Sequence, residues 1–351
     1  MPTVPFFIGT YTVRGSRGIY SAELDLATGA ISPPTLAAET NNPTYLALSP
    51  TGKHLYAVSD SASLVAGFAL APDRRTLTPL AEPQPSVGKP PSHLAVDATA
   101  RVALVAHYHS GYVAAVPLAG TGTPGVPTER VQHTGSGINP DRQSAPHPHC
   151  VVPSPDNRHV LVCDLGVDKI FTYRLDPAAA SLTPAEPPFV TAEPGCGPRH
   201  LAFSPDARHV FMLSEMGGTL TAYRYDPDTG ALHPVHTHTT LAPDFHGENK
   251  SAAIRVHPDG RFLYASNRGP ETIAVLAFDP STKRLSPVEI VPSGGAHPRE
   301  IALSPDGRWL LAAHQDSDNI TVFRVDPATG RLTPTDTNLP VPAPVCLVFA
   351  P

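Results

Sequence analysis

No apolar run in this 351-residue chain approaches 18 residues, so no membrane-spanning helix is predicted. A basic cluster is also missing. The formal net charge is −6, which argues against nucleic acid or an acidic membrane surface as a partner. Cysteine is scarce: Cys150, Cys163, Cys196 and Cys346 fall in strand-like or turn segments without CxxC spacing. Buried free thiols are therefore expected, rather than disulfides or a metal site. The opening MPTVPFFIGTYT has neither a charged leader nor a signal-length apolar stretch, so secretion is not expected. There is no G-x-S-x-G elbow and no P-loop. Gly120, Gly122 and Gly125 do match G-x-G-x-x-G, but Pro124 lies inside the match and no helical period follows, so no dinucleotide cofactor is expected.

Proline, by contrast, is abundant. The 43 prolines make up about 12% of the chain, where roughly 5% is ordinary. Proline interrupts helices and central strands, which points to short strands and punctuated turns. Disorder is the other reading of such a composition, but 41% hydrophobic residues in regular strand patterns argue against it.

Those patterns repeat. PTYLALSP, PSHLAVDA, PHCVVPSP, PRHLAFSP, SAAIRVHP, PREIALSP and PVCLVFAP start at residues 43, 91, 148, 198, 251, 298 and 344, at intervals of 48, 57, 50, 53, 47 and 46. Each of the first six runs through a turn into a second apolar strand such as HVFMLSE. A third such as TLTAYRYD and a polar fourth such as RLTPTDT follow. Four antiparallel strands per unit of about 50 residues, without helices, is the pattern of an all-β propeller. The last copy is a first strand with nothing after it, whereas FFIGTYT, GIYSAELD and ISPPTLAAE at the N-terminus lack a first strand. Joined, they complete a seventh blade and leave no open edge. A single seven-bladed β-propeller domain over residues 1–351 is expected, with the C-terminal strand closing the blade of N-terminal strands. The stretch Thr121 to Ala145 is expected to hold a long outer strand and a loop over one face.

First strands line the channel of a propeller, so equivalent positions form rings. The residue after the leading proline is Thr44, Ser92, His149, Arg199, Ala252, Arg299 or Val345; the residue before it includes His147, Lys250 and His297. Nine residues beyond the turn proline or its equivalent come Ser59, His107, Asp164, Ser214, Asn267 and His314. Ten beyond come Asp60, Tyr108, Leu165, Glu215, Arg268 and Gln315. One channel mouth should then gather His147, His149, Asp164, Arg199, Glu215, Arg268, Arg299 and Gln315, an acid–base and anion-binding set. His107, His200, Glu300 and His314 have weaker claims. Arg199 with Glu215 is also a candidate structural ion pair, and Asp164 a turn-stabilising residue. Zinc on His147, His149 and Asp164 is conceivable, but Pro148 and the nearby arginines disfavour a divalent cation. No metal is expected.

The segments APHPHCVVPSPDNRHVLVCDLGVDKI, GCGPRHLAFSPDARHVFMLSE, HPDGRFLYASNRG and HPREIALSPDGRWLLAAHQDSDNI resemble the seven-bladed lactonase family, as does IGTYT near the start. That family contains bacterial propeller-type 6-phosphogluconolactonases and is related to fungal carboxy-muconate cyclases. SAAIRVHP departs from it, with Ala253 where the family more often has an acidic residue. The resemblance implies a cytoplasmic, cofactor-free carboxylic ester hydrolase that opens a sugar lactone, 6-phosphogluconolactone of the pentose phosphate pathway being the expected substrate. It implies a site made of a histidine of the PHPH segment, Arg199, Glu215 and Arg268. Both His147 and His149 remain candidates for the base, and the ring count favours His149. Glu215 is expected to orient it or to protonate the leaving oxygen. Arg199 and Arg268 would bind the oxyanion or carboxylate and Arg299 the phosphate, with Asp164 and Gln315 as further substrate contacts. Two other readings are a muconate-type cycloisomerase and a non-catalytic binding scaffold. The 7% aromatic content favours a small polar ligand over a protein-binding face.

Overall fold

The computed structural model describes residues 3–61, 64–85 and 88–350. Among these residues seven antiparallel sheets form, six of four strands and one with a short fifth strand. Their inner strands are Pro43–Leu48, His93–Val96, Pro148–Pro153, Pro198–Phe203, Lys250–Val256, Pro298–Leu303 and Pro344–Phe349. Each touches the next, and Pro344–Phe349 returns to Pro43–Leu48, so the ring closes. Closure uses both ends of the chain as expected. Pro344–Phe349 pairs with Thr3–Thr10, followed outward by Gly18–Asp25 and Thr35–Glu39. No helix among the described residues is long and apolar enough to cross a membrane.

Local chemistry explains why the repeats turn where they do. In the SPDxR turn after Pro198–Phe203, the Ser204 hydroxyl donates to Asp206 at 2.6 Å and accepts from the His209 amide at 2.9 Å. Ser154 with Asp156 and Ser304 with Asp306 repeat the arrangement. Apolar residues then alternate onto the two faces of each sheet and pack between blades. Phe211 and Leu213 of one blade meet Ile254, Leu263 and Ala265 of the next, all fully buried. Each such large side chain contributes roughly 1.5–3 kcal/mol by leaving water. The four cysteines are free and buried.

One expectation needs correction. The outer strand in the stretch Thr121 to Ala145 is short, Glu129–Gln132. Pro124 and Pro127 precede it and Pro140 follows, and proline cannot donate to a ladder. The chain from His133 to His147 forms the expected loop, and Arg142 from it lines one mouth of the channel.

The inner strands share one irregularity that bears on the site. Pairing skips a residue between Pro43 and Tyr45, Pro148 and Cys150, Pro198 and His200, and Pro298 and Glu300. The skipped residues are Thr44, His149, Arg199 and Arg299. Such bulges re-aim a side chain, and all four line the channel mouth.

Candidate active site

The mouth holds an open pocket of about 450 Å³. Six of the seven residues that follow the leading proline line it: Thr44, Ser92, His149, Arg199, Arg299 and Val345. The second-strand ends contribute Asp60, Tyr108, Glu215, Arg268 and Gln315. These are the positions ten residues beyond the turn proline. None of the positions nine beyond it reaches the pocket. At the ends of the second strands successive residues face opposite ways, so of these two rings only one enters. On the first strands, where pairing skips a residue, neighbours such as Arg199 and His200 both reach the pocket.

Glu215 is the centre of the arrangement. Its Oε2 accepts from Arg199 Nε at 3.0 Å and from an Arg268 terminal nitrogen at 2.9 Å. Its Oε1 accepts from Arg142 at 2.5 Å. Side-chain exposure is 3% for Arg199, 6% for Arg268 and 6% for Glu215, but 32% for Arg142. Burial alone would raise the Glu215 carboxyl. Arg268 and then Arg199 outweigh it and hold the group well below the ordinary carboxylate range. Glu215 is therefore ionised near neutrality, and the proton-donor part considered for it is closed to it. Burial, followed by repulsion from Arg199, lowers Arg268 to about 9, so it too remains charged. Arg199 also donates to the carbonyl of Ala252 on the next blade.

His149 lies against the same cluster. Burial and then the Arg199 charge push its imidazole well below the usual histidine value, so it is neutral at pH 7. Its ring packs edge-on to Tyr108 and His200, with centroids 5.6 and 5.4 Å away. Nδ1 is buried without a hydrogen-bond partner among the described residues, so no carboxylate orients the ring through that nitrogen.

Arg299 takes part in none of the described ion pairs; its guanidinium carbon sits 5.7 Å from the Tyr11 ring centre. Arg142, Arg199, Lys250, Arg268 and Arg299 line the pocket against the carboxylates Asp60, Glu215 and Glu300. Glu300 is already held at 2.7 Å by Arg255. The lining thus carries surplus positive charge facing solvent, which suits an anionic ligand.

Two of the expected site residues stand behind the wall. His147 does not line the pocket; its ring stacks on Tyr108 with centroids 4.4 Å apart. Asp164 is fully buried and engages His133 Nδ1 at 2.6 Å. Gln315 lines the rim, and its carbonyl accepts from Arg14. Of the weaker candidates, His200 and Glu300 line the pocket, whereas His107 and His314 do not. Arg142 was not anticipated: it belongs to no repeat position, and only the length of its loop signalled it.

The family described as "Lactonase, 7-bladed beta-propeller" matches residues 5–349 of the chain. The chain is similar to the 6-phosphogluconolactonase of Bacillus subtilis, 35% identical over 84% of this chain and 83% of that one. It is 29% identical to a 6-phosphogluconolactonase of Formosa agariphila, over 85% of each chain. Among solved structures, the periplasmic gluconolactonase of Pseudomonas aeruginosa superposes with a TM-score of 0.94 at 32% identity, covering 99% of both chains.

Proposed function

The chain belongs to the seven-bladed β-propeller lactonase family, and from that premise we propose that it hydrolyses a sugar lactone, specifically 6-phosphogluconolactone to 6-phosphogluconate. The observation that carries this reading is a neutral imidazole, His149, in one open pocket with arginines held around the ionised Glu215.

Lactone opening adds water to the ring carbonyl and expels the ring oxygen. In this reading His149 removes a proton from the attacking water as the new C–O bond forms. The carbonyl oxygen becomes an oxyanion beside Arg199 and Arg268, which need no reorganisation because Glu215 already holds them. When the tetrahedral centre collapses, the ester C–O bond breaks and imidazolium His149 returns its proton to the leaving oxygen. The same residue serves as base and then acid, which matches a Glu215 that stays ionised. Arg299, with Lys250 at the rim, binds the phosphate. Nothing in this scheme calls for a cofactor or a metal. The four free buried thiols accord with a reducing compartment such as the cytoplasm.

The test follows acid release from 6-phosphoglucono-δ-lactone and from glucono-δ-lactone, each corrected for spontaneous opening. Higher kcat/KM for the phosphorylated lactone supports the reading. Preference for glucono-δ-lactone would move the chain toward the activity named for its Pseudomonas neighbour. No acceleration of either substrate would end the proposal.

A further inference from the structure

Asp164 ends the second strand of its blade, Leu165 and Gly166 follow it, and the loop from His133 to His147 is fastened to these residues along its length. At its start, the His133 ring pairs with Asp164 Oδ2 at 2.6 Å and reaches the Tyr173 hydroxyl with Nε2 at 2.8 Å. At its end, the His147 amide donates to Asp164 Oδ1 at 2.7 Å. One carboxylate thus closes a span of 15 residues. In between, the Gln143 side chain is fully buried; its amide nitrogen donates to the Leu165 carbonyl at 2.8 Å and its oxygen accepts from the Asn139 amide at 3.1 Å. The loop lies so close to its seat that a Cβ on Gly166 would overlap the Ala145 carbonyl.

The residue next to this anchor is Arg142, which spans the pocket to Glu215 Oε1 and also donates to the Tyr108 hydroxyl at 3.3 Å. Arg199 and Arg268 both bind Oε2, so Arg142 occupies the other oxygen. Arg199 is also anchored on the Ala252 carbonyl and Arg268 on the Lys250 carbonyl at 2.7 Å, so the guanidinium groups have fixed outer contacts. Were Oε1 open, the carboxylate plane could turn between them and loosen the two contacts at Oε2. A free anionic oxygen would also compete for the protons and hydroxyls of a bound sugar.

We propose that the loop from His133 to His147 is a strap closed by Asp164, and that it delivers Arg142 as a positioning residue that locks Glu215 and, through it, the oxyanion-binding arginines. This inference rests on the lactonase reading. It assigns Asp164 to the machinery through the strap rather than through contact with substrate.

The experiment compares wild type, Arg142→Ala, Arg142→Lys, Asp164→Asn and the double variant on the better of the two lactones. Arg142 is partly exposed on a loop, so its variants should fold, which thermal melting checks. Losing a charge-assisted hydrogen bond to a buried carboxylate predicts a drop of about 10- to 100-fold in kcat/KM for Arg142→Ala. The drop should lie mainly in kcat, with Arg142→Lys intermediate and partial recovery of the Ala variant by added guanidinium ion. If Asp164 acts through Arg142, adding Asp164→Asn to Arg142→Ala costs less than about twofold more; should Asp164→Asn not fold, His133→Asn replaces it. Wild-type rates from Arg142→Ala, a rise in KM with kcat unchanged, or fully additive losses would overturn the strap while leaving lactonase activity standing. An inactive wild-type protein would remove both.

Discussion

Arg268 reaches Glu215 across the seam between two blades, with 2.9 Å from its terminal nitrogen to Oε2 although 53 residues separate the two. The contact ties neighbouring sheets together and also lines the pocket. One carboxylate therefore holds a blade seam and shapes the pocket lining.

Glu215→Gln tests the stability half. The amide keeps the shape but leaves Arg199 and Arg268 buried without their counter-charge. Breaking a buried pair on one side costs about 3–5 kcal/mol. Urea unfolding should register a loss of that order, together with a large fall in activity. A loss under about 1 kcal/mol would mean that water reaches the two arginines.

In the proposed reaction the pH dependence of kcat/KM reports on His149. A base works in its neutral form, and burial and Arg199 set this imidazole well below 6.5. Activity should therefore stay level as pH falls from 7.5 through 6.5 and decline only at clearly lower pH. An acid limb centred near 6.5 would contradict the surroundings assigned to His149.

Arg299→Ala separates phosphate from sugar recognition. This guanidinium takes part in none of the described ion pairs, so its removal strands no buried carboxylate. KM for the phosphorylated lactone should rise about 10- to 100-fold, the scale of one charge-assisted contact. Values for the unphosphorylated lactone should change less than about twofold. Equal losses on both substrates would place Arg299 in general binding instead.

Acid should weaken the fold before the carboxylates titrate. Burial holds His93 at about 3 and His107 and His314 at about 4 in the folded chain. The unfolded chain takes up these protons near 6.5, so below that pH it binds more protons than the native state. Stability is complete above 6.5 and falls as pH drops toward 4, each histidine adding a slope of up to about 1.4 kcal/mol per pH unit. Urea midpoints at pH 7.5, 5.5 and 4.5 measure this. A midpoint that does not move from 7.5 to 5.5 would show that these rings accept protons in place.

Much of the site was legible because it obeys the repeat. The residue after each leading proline and the residue ten beyond each turn proline recur with the blades, so His149, Arg199, Glu215, Arg268, Arg299 and Gln315 could be gathered by counting. Asp164 was gathered with them because it ends the same kind of strand, but one residue of offset turns it to the opposite face, onto His133. His147 sits one residue before Pro148 and its ring turns onto Tyr108 instead. Arg142 could not be counted at all, since a loop between repeats has no period.

The order of residues alone determined seven four-stranded blades, a ring closed by the two ends of the chain and two circles of side chains at one mouth. Strand alternation and turn chemistry act within a few residues, and a repeat multiplies them faithfully. Only the tertiary structure decided which charges share a carboxylate, how burial keeps the pocket histidines neutral and which loop sends an arginine into the pocket. Those outcomes depend on distances between blades and on burial, quantities that arise only once the circle is closed.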